Sequence, residues 1–153
     1  MSHLSDSKAS VRALLDSKGW TVHTISPDAT VFEAISQMAE HGIGALVVLD
    51  EGKLIGIISE RDYTRKVILK GRHSQQTAVR EILAEVTALA TLDDTVAACM
   101  VSLTESRERY LPVIDQGAVV GIVSLGDLIK WTVVEQKETI SHLQSYIVGG
   151  YAS

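Results

Sequence analysis

One segment of this chain occurs twice. Gly56-Ile57-Ile58-Ser59-Glu60-Arg61-Asp62 returns as Gly121-Ile122-Val123-Ser124-Leu125-Gly126-Asp127, a shift of 65 positions from Gly56 to Gly121. The same shift, without a gap, lays Asp28-Ala29-Thr30-Val31 on Asp93-Asp94-Thr95-Val96 and Leu46 to Gly52 on Leu111 to Gly117. A repeat in one register over three blocks requires two copies of one supersecondary unit. Because the whole chain has only 153 residues, neither copy is large enough to bury an adequate core alone, and the pair is the expected folding unit.

Each half reads as strand, helix, strand, strand, helix. In the first, Thr30 and Glu33 form a capping-box pattern, and Val31, Ile35 and Met38 line one face of the helix that follows. Val96, Cys99, Met100 and Leu103 give the matching stripe in the second half. Ala45–Leu49 and Leu54–Ile58, joined at Asp50-Glu51-Gly52, read as a hairpin of mostly buried strands, with Pro112 expected at a strand start or edge. Ser59 and Ser124 stand at helix N-cap positions, ahead of Tyr63 to Leu69 and Leu128 to Val134. The division read from these signals is a lead-in at 1–19, repeat 1 at 20–72, a connector with a short helix (Ala78 to Leu83) at 73–84, repeat 2 at 85–134, and an amphipathic helix and tail at 135–153. In that tail Ile140, Leu143 and Ile147 share a face, and Gly149-Gly150 is the expected stop.

Charge and composition narrow the function. A net charge of −5 leaves no general basic surface for nucleic acid or anionic membrane, so any phosphate must be met locally. A single cysteine, Cys99, excludes an intrachain disulfide and a cysteine-rich zinc site, and points with the absence of Asn to a reducing compartment. The start Met1-Ser2-His3-Leu4-Ser5-Asp6 has no signal-peptide core, and no apolar run approaches the ~20 residues that cross a bilayer, so the expected location is the cytoplasm. His3, His23, His41, His73 and His142 have no ligand spacing, and no metal site is expected. No phosphate loop, dinucleotide fingerprint or nucleophile elbow occurs, and no catalytic residue is assigned. Cys99, on a helix stripe, reads as core.

The doubled Asp-x-Thr-Val, hairpin and Gly-Ile-[Ile/Val]-Ser-x-x-Asp pattern, from about Trp20 to Trp131, resembles a tandem pair of CBS domains, or Bateman module. Gly42-Ile43-Gly44-Ala45-Leu46, Ser59-Glu60-Arg61-Asp62-Tyr63, Arg107-x-Arg109-Tyr110-Leu111-Pro112-Val113 and the tail Thr139-Ile140-x-x-Leu143-x-x-Tyr146-Ile147 are similar to small stand-alone bacterial CBS-pair proteins. The resemblance implies an α/β (α+β) fold of two βαββα repeats packed through their sheets about a pseudo-two-fold axis. It also implies two clefts between the repeats, a flat homodimer, and a non-enzymatic regulatory module whose ligand is an adenine nucleotide (AMP, ATP or NAD) and whose output, energy or redox state, passes to a separate partner.

Site residues follow from that resemblance. Asp62 and Asp127 take ribose hydroxyls, since a carboxylate repels phosphate; Ser59, Ser124 and free N–H groups at the two helix starts take phosphate, with Arg61 and Arg109 as cations. The adenine lies against Thr24, Ile25, Leu89 and Ala90 and against Ile43, Gly44, Ala45, Leu46, Arg109, Tyr110, Leu111 and Pro112. Ser59-x-x-Asp62 and Ser124-x-x-Asp127 also read, without any ligand, as capping boxes. Arg65, Lys66 and Lys70 read equally as a solvated helix face. Gly44 stands where the second half has Arg109, so the clefts are expected to differ. The competing function is a ligand-free dimerisation scaffold that acts through its C-terminal helix.

Overall fold

A computed structural model describes residues 8–152 of the chain; the residues before Lys8, Ser153, and the side chains of Thr139, His142 and 145–152, Tyr146 and Ile147 among them, lie outside the described residues. The elements run α1 (Val11–Lys18), β1 (Thr24–Ile25), α2 (Val31–His41), β2 (Ala45–Asp50), β3 (Lys53–Ser59) and α3 (Glu60–Tyr63), the last continuing as a π-helical turn over Thr64–Ile68. Two 3-10 turns follow, Ser74–Gln76 and Val79–Glu81; then α4 (Val96–Ser106), β4 (Tyr110–Asp115), β5 (Ala118–Ser124) and α5 (Leu125–Ala152). The fold is α+β, as expected, and both hairpins form. β2 pairs antiparallel with β3, and β4 with β5, in registers that match residue for residue under the 65-residue shift.

Local chemistry explains the starts of the elements. Thr30 accepts from Glu33 N at 3.1 Å while Glu33 Oε2 accepts from Thr30 N at 3.2 Å, closing the expected capping box. Val31, Ala34 and Met38 on one face of α2 are buried with Leu46, Val48 and Ile58 of the sheet. Cys99 is buried, on the matching face of α4 with Val96 and Leu103. The helices after the hairpins begin at Glu60 and Leu125, three residues earlier than the apolar pattern indicates, because Ser59 and Ser124 cap them directly.

Two cores result, and each takes in a segment from outside its own repeat. Val11, Leu14 and Leu15 of α1 complete the core of repeat 2, and Val79 and Ile82 of the connector complete that of repeat 1. The backbone bonds correspond: Val96 N donates to Ala9 O and Val11 N to Asp94 O, while Val31 N donates to Thr77 O and Val79 N to Ala29 O, all at 2.8–2.9 Å. The glycines of the repeated motif make room for these braces. A Cβ on Gly56 would lie 2.6 Å from both Ala84 O and Leu83 Cδ1, and one on Gly121 2.7 Å from Leu15 Cδ1. Ala45, Val47 and Ile57 are buried outside both clusters, as a layer between the repeats requires.

Two expectations need correction. The lead-in strand at Leu89-Ala90 is reduced to a single bridge, Ala90 to Val113, whereas β1 pairs two residues with β2. Pro112 is the reason: its counterpart Val47 donates to His23 O at 3.1 Å, a bond that a residue without an N–H cannot make. The tail is not a separate helix ending at Gly149-Gly150. α5 runs unbroken from Leu125 to Ala152, and Ile129, Val133, Ile140 and Leu143 along it are exposed.

Candidate functional site

The duplicated folds leave two clefts of matching construction. The first, about 230 Å³, is lined by Ser59, Arg61, Asp62, Arg65 and Lys66 of repeat 1, by Ala84 at the end of the connector, and by Glu85–Ala88, Arg107, Glu108, Arg109 and Tyr110 of repeat 2. The second, about 400 Å³, is lined by Ser124 and Asp127, by Lys18, Gly19, Thr21 and His23, and by Gly42, Ile43, Gly44 and Ala45. In each, the serine and aspartate of one repeat face the helix end and strand start of the other.

Of the expected residues, Ser59, Arg61, Asp62, Arg109 and Tyr110 meet in the first cleft, and Ile43, Gly44, Ala45, Ser124 and Asp127 in the second. Leu46, Ala90, Leu111 and Pro112 are instead buried in the fold, Leu89 is exposed, and Thr24 and Ile25 form β1 without lining either cleft. The lining on that side comes from residues slightly upstream, Thr21 and His23 in one half and Val86, Thr87 and Ala88 in the other. Their signal was the register itself: His23 and Ala88 are 65 positions apart.

The helix starts correct a second expectation. In the first cleft Asp62 Oδ2 accepts from Ser59 N and from Ser59 Oγ, each at 3.0 Å, Asp62 N donates to Ser59 Oγ at 3.3 Å, and Glu60 N donates to Gly44 O at 3.0 Å. The second is built alike: Ser124 N donates to Asp127 Oδ2 at 2.9 Å, Asp127 N to Ser124 Oγ at 3.0 Å, and Leu125 N to Arg109 O at 2.8 Å. The caps take the N–H groups of Asp62 and Asp127, and carbonyls of the facing repeat take those of Glu60 and Leu125, so these four donors, which were expected to meet phosphate, are engaged within the fold. A carboxylate has about four acceptor positions, so capping leaves each aspartate able to accept more through Oδ1.

Electrostatics then separate the clefts. The first is lined by five cationic side chains, Arg61, Arg65, Lys66, Arg107 and Arg109, against three carboxylates, Asp62, Glu85 and Glu108. Lys66 Nζ lies 3.3 Å from Asp62 Oδ1 and donates to Ile82 O at 3.0 Å; Lys70 and Arg72 do not line the cleft, and Arg72 pairs with Glu81. In the second, Lys18 Nζ donates to Asp127 Oδ2 at 2.6 Å and to Ile122 O at 2.7 Å, so its one lysine neutralises its one carboxylate. Tyr110 borders both clefts; its hydroxyl lies 2.8 Å from where a Cβ of Gly44 would be. Burial, and then the charge of Glu60, push its phenol pKa up, so it is a neutral donor at the cleft. His23 and His41 stack with centroids 3.9 Å apart beside the second cleft. Among the described residues no group of three His, Cys, Asp or Glu could hold a metal ion, and no helix is long and apolar enough to cross a membrane.

Known proteins share this fold. The CBS domain family model matches twice, at residues 19–68 and 79–133. The mitochondrial CBS domain-containing protein CBSX3 of Arabidopsis thaliana is 42% identical over 129 residues, covering 81% of this chain and 63% of that protein, so the chain spans less than two thirds of that relative. The CBS domain-containing protein YhcV of Bacillus subtilis is 35% identical over 107 residues, covering 70% of this chain and 76% of that one. The solved structure of a protein with CBS domains from Burkholderia ambifaria MC40-6 superposes with a TM-score of 0.79 at 40% identity, covering 84% of this chain and 96% of that chain.

Proposed function

Since this chain belongs to the CBS-domain family, as a tandem pair, we propose that it is a regulatory module that binds one adenine nucleotide in the first cleft. CBS-domain pairs are typically regulatory, ligand-binding modules, and their usual ligands are adenine nucleotides. In this reading Asp62 accepts from the ribose hydroxyls through Oδ1, the base lies along Val86–Ala88, and the phosphates run towards Arg107 and Arg109. The observation that carries it is the pairing, in one 230 Å³ cleft, of a capped aspartate with facing arginines, in a chain whose net charge is −5.

The ligand is AMP, ATP or NAD by class, and its occupancy reports energy or redox state. No catalytic role is assigned to any residue, and the cytoplasm is part of this reading. The output runs through a homodimer and a separate partner: Ile129, Val133, Ile140 and Leu143 leave an exposed apolar face along α5 that a second copy would cover. The same face supports the competing reading, a scaffold whose clefts do no work. Calorimetric titration of the protein, Asp62→Ala and Asp127→Ala with AMP, ATP and NAD distinguishes them. The sensor reading expects micromolar to sub-millimolar binding that Asp62→Ala abolishes; no heat with any of the three in the unsubstituted protein leaves the scaffold.

A further inference from the structure

α5 continues well past the fold that it completes. Its 28 residues span about 42 Å at the rise of an α-helix, and among the described residues none beyond Glu138 belongs to either core. Two of its faces are occupied. Leu128 is buried in the core of repeat 2, with Leu125 and Trp131 packed against that core. Asp127, Lys130, Val134 and Glu138 line a groove shared with Leu14 and Lys18 of α1. A third face, on the side of the helix away from α1, carries Ile129, Val133, Ile140 and Leu143, all exposed, with Gln136 between them. These five positions follow one another at intervals of four, three, four and three residues, and the sequence continues the alternation at Ile147.

That alternation is the heptad seam of a coiled coil, and it requires another helix of the same period. The chain's other long helices, α2 and α4, have 11 residues each and turn their apolar faces into the cores, so the helix that matches α5 is α5 of a second copy. In heptad terms Val133 and Ile140 take the a positions, and Ile129, Gln136 and Leu143 the d positions. Gln136 sets the direction. An antiparallel pair stacks a against d, which would press the Gln136 amide on a valine or isoleucine and leave its donors without partners. A parallel pair in register stacks each layer on its own copy, so the two Gln136 amides bond each other. Charge agrees. Lys130 and Lys137 hold the e positions; antiparallel pairing sets e against e, whereas parallel pairing sets e against g, where this helix has no charged residue. We infer that α5 joins α5 of a second copy as a parallel, two-stranded coiled coil in register, with Gln136 as the residue that fixes its direction. This inference rests on the homodimer of the reading above and names its geometry: both repeat pairs stand at the same end of the coil.

Cysteine cross-linking and light scattering of the full chain test it. Val133→Cys and Leu143→Cys are made singly, with Ser141→Cys, off the seam, as the control; Cys99 is buried and leaves the reaction to the new thiol. Both seam variants are expected to form disulfide-linked dimers about a hundredfold faster than Ser141→Cys, because facing thiols meet at an effective concentration on the order of millimolar and free chains at micromolar. An antiparallel pair brings at most one of these two positions to its own copy, since they stand ten residues apart. Gln136→Leu is expected to melt at a higher temperature and to slow Val133→Cys cross-linking severalfold, as the seam loses its directional constraint. Cross-linking at one position or at neither, in a protein of dimer mass, overturns the parallel coil and leaves the homodimer standing. A monomer mass for the unsubstituted protein overturns both. An undiminished cross-linking rate in the Gln136→Leu background overturns the part assigned to Gln136.

Discussion

Substituting Gly56 by alanine tests the interlocked construction of the two repeats. The new methyl would lie 2.6 Å from Ala84 O and 2.6 Å from Leu83 Cδ1. A leucine tip can rotate away, but the carbonyl cannot: Ala84 O accepts from Ile57 N at 3.0 Å and Ala84 N donates to Ile57 O at 2.9 Å. Relieving the clash means lifting the connector from β3. Overpacking costs about 1–3 kcal/mol, and two weakened backbone bonds about 1 kcal/mol each. The lower chain entropy of alanine offsets about 0.4–1 kcal/mol, leaving a net loss of about 2–5 kcal/mol. Gly121→Ala is the control, since its methyl meets only Leu15 Cδ1 at 2.7 Å and Cδ2 at 3.0 Å. It is expected to cost about 1–2 kcal/mol and to become nearly neutral in a Leu15→Ala background, where the obstructing tip is gone. Urea unfolding at one fixed protein concentration, with slopes compared, measures all four variants. A Gly56→Ala loss no larger than that of Gly121→Ala, or no coupling between Gly121→Ala and Leu15→Ala, would refute the argument.

Further expectations concern charge, titration and assembly. Lys18→Ala breaks a partly exposed ion pair and is expected to cost under about 1 kcal/mol of stability, while freeing Asp127 so that, in the proposed reading, nucleotide binding per chain rises above one; an unchanged stoichiometry in equilibrium dialysis counts against Lys18 as the residue that blocks the second cleft. Burial, and then Asp94, push the Cys99 thiol up to about 11, so at pH 8 the folded protein is expected to be inert to a disulfide reagent that labels it in urea. Tyr110 has a raised pKa in the fold, so its contribution to stability is full below pH 10 and lost as pH rises through the folded value; the ultraviolet titration difference between the protein and Tyr110→Phe is expected to show that phenol ionising above the usual tyrosine range. For the proposed homodimer, Ile140→Glu with Leu143→Glu is expected to lower the mass in light scattering from dimer to monomer, and an unchanged dimer mass would remove α5 from the interface.

Much of this architecture was legible in the chain because a gapless 65-residue register carries the hairpins, caps and clefts together. What stayed hidden lies where that register breaks. Val11-Arg12-Ala13-Leu14-Leu15 and Val79-Arg80-Glu81-Ile82-Leu83 are also copies, but 68 positions apart, so a single shift misses them. Those two segments are the braces that each core borrows, and they explain the motif glycines. The missing lead-in strand was written in Pro112, whose lost N–H matters only once Val47 is known to donate to His23. The aspartates presented a real ambiguity, since the same Ser-x-x-Asp spacing serves a cap and a sugar. The caps do form and engage part of the N–H donors at each helix start, which is why the proposed phosphate position lies at the facing arginines. The inequality of the clefts was visible in Gly44 against Arg109, whereas the part played by Lys18 required the fold, because it reaches Asp127 across 109 positions.

The central claim is that one nucleotide sits in the first cleft between Asp62 and the arginines of the other repeat. A crystal structure of the protein grown with ATP tests it most directly. The account predicts one nucleotide per chain, with ribose hydroxyls within hydrogen-bond distance of Asp62 Oδ1 and phosphates against Arg107 and Arg109. Nucleotide seated only in the second cleft on Asp127, or phosphates bound at the N–H groups of α3, would contradict it.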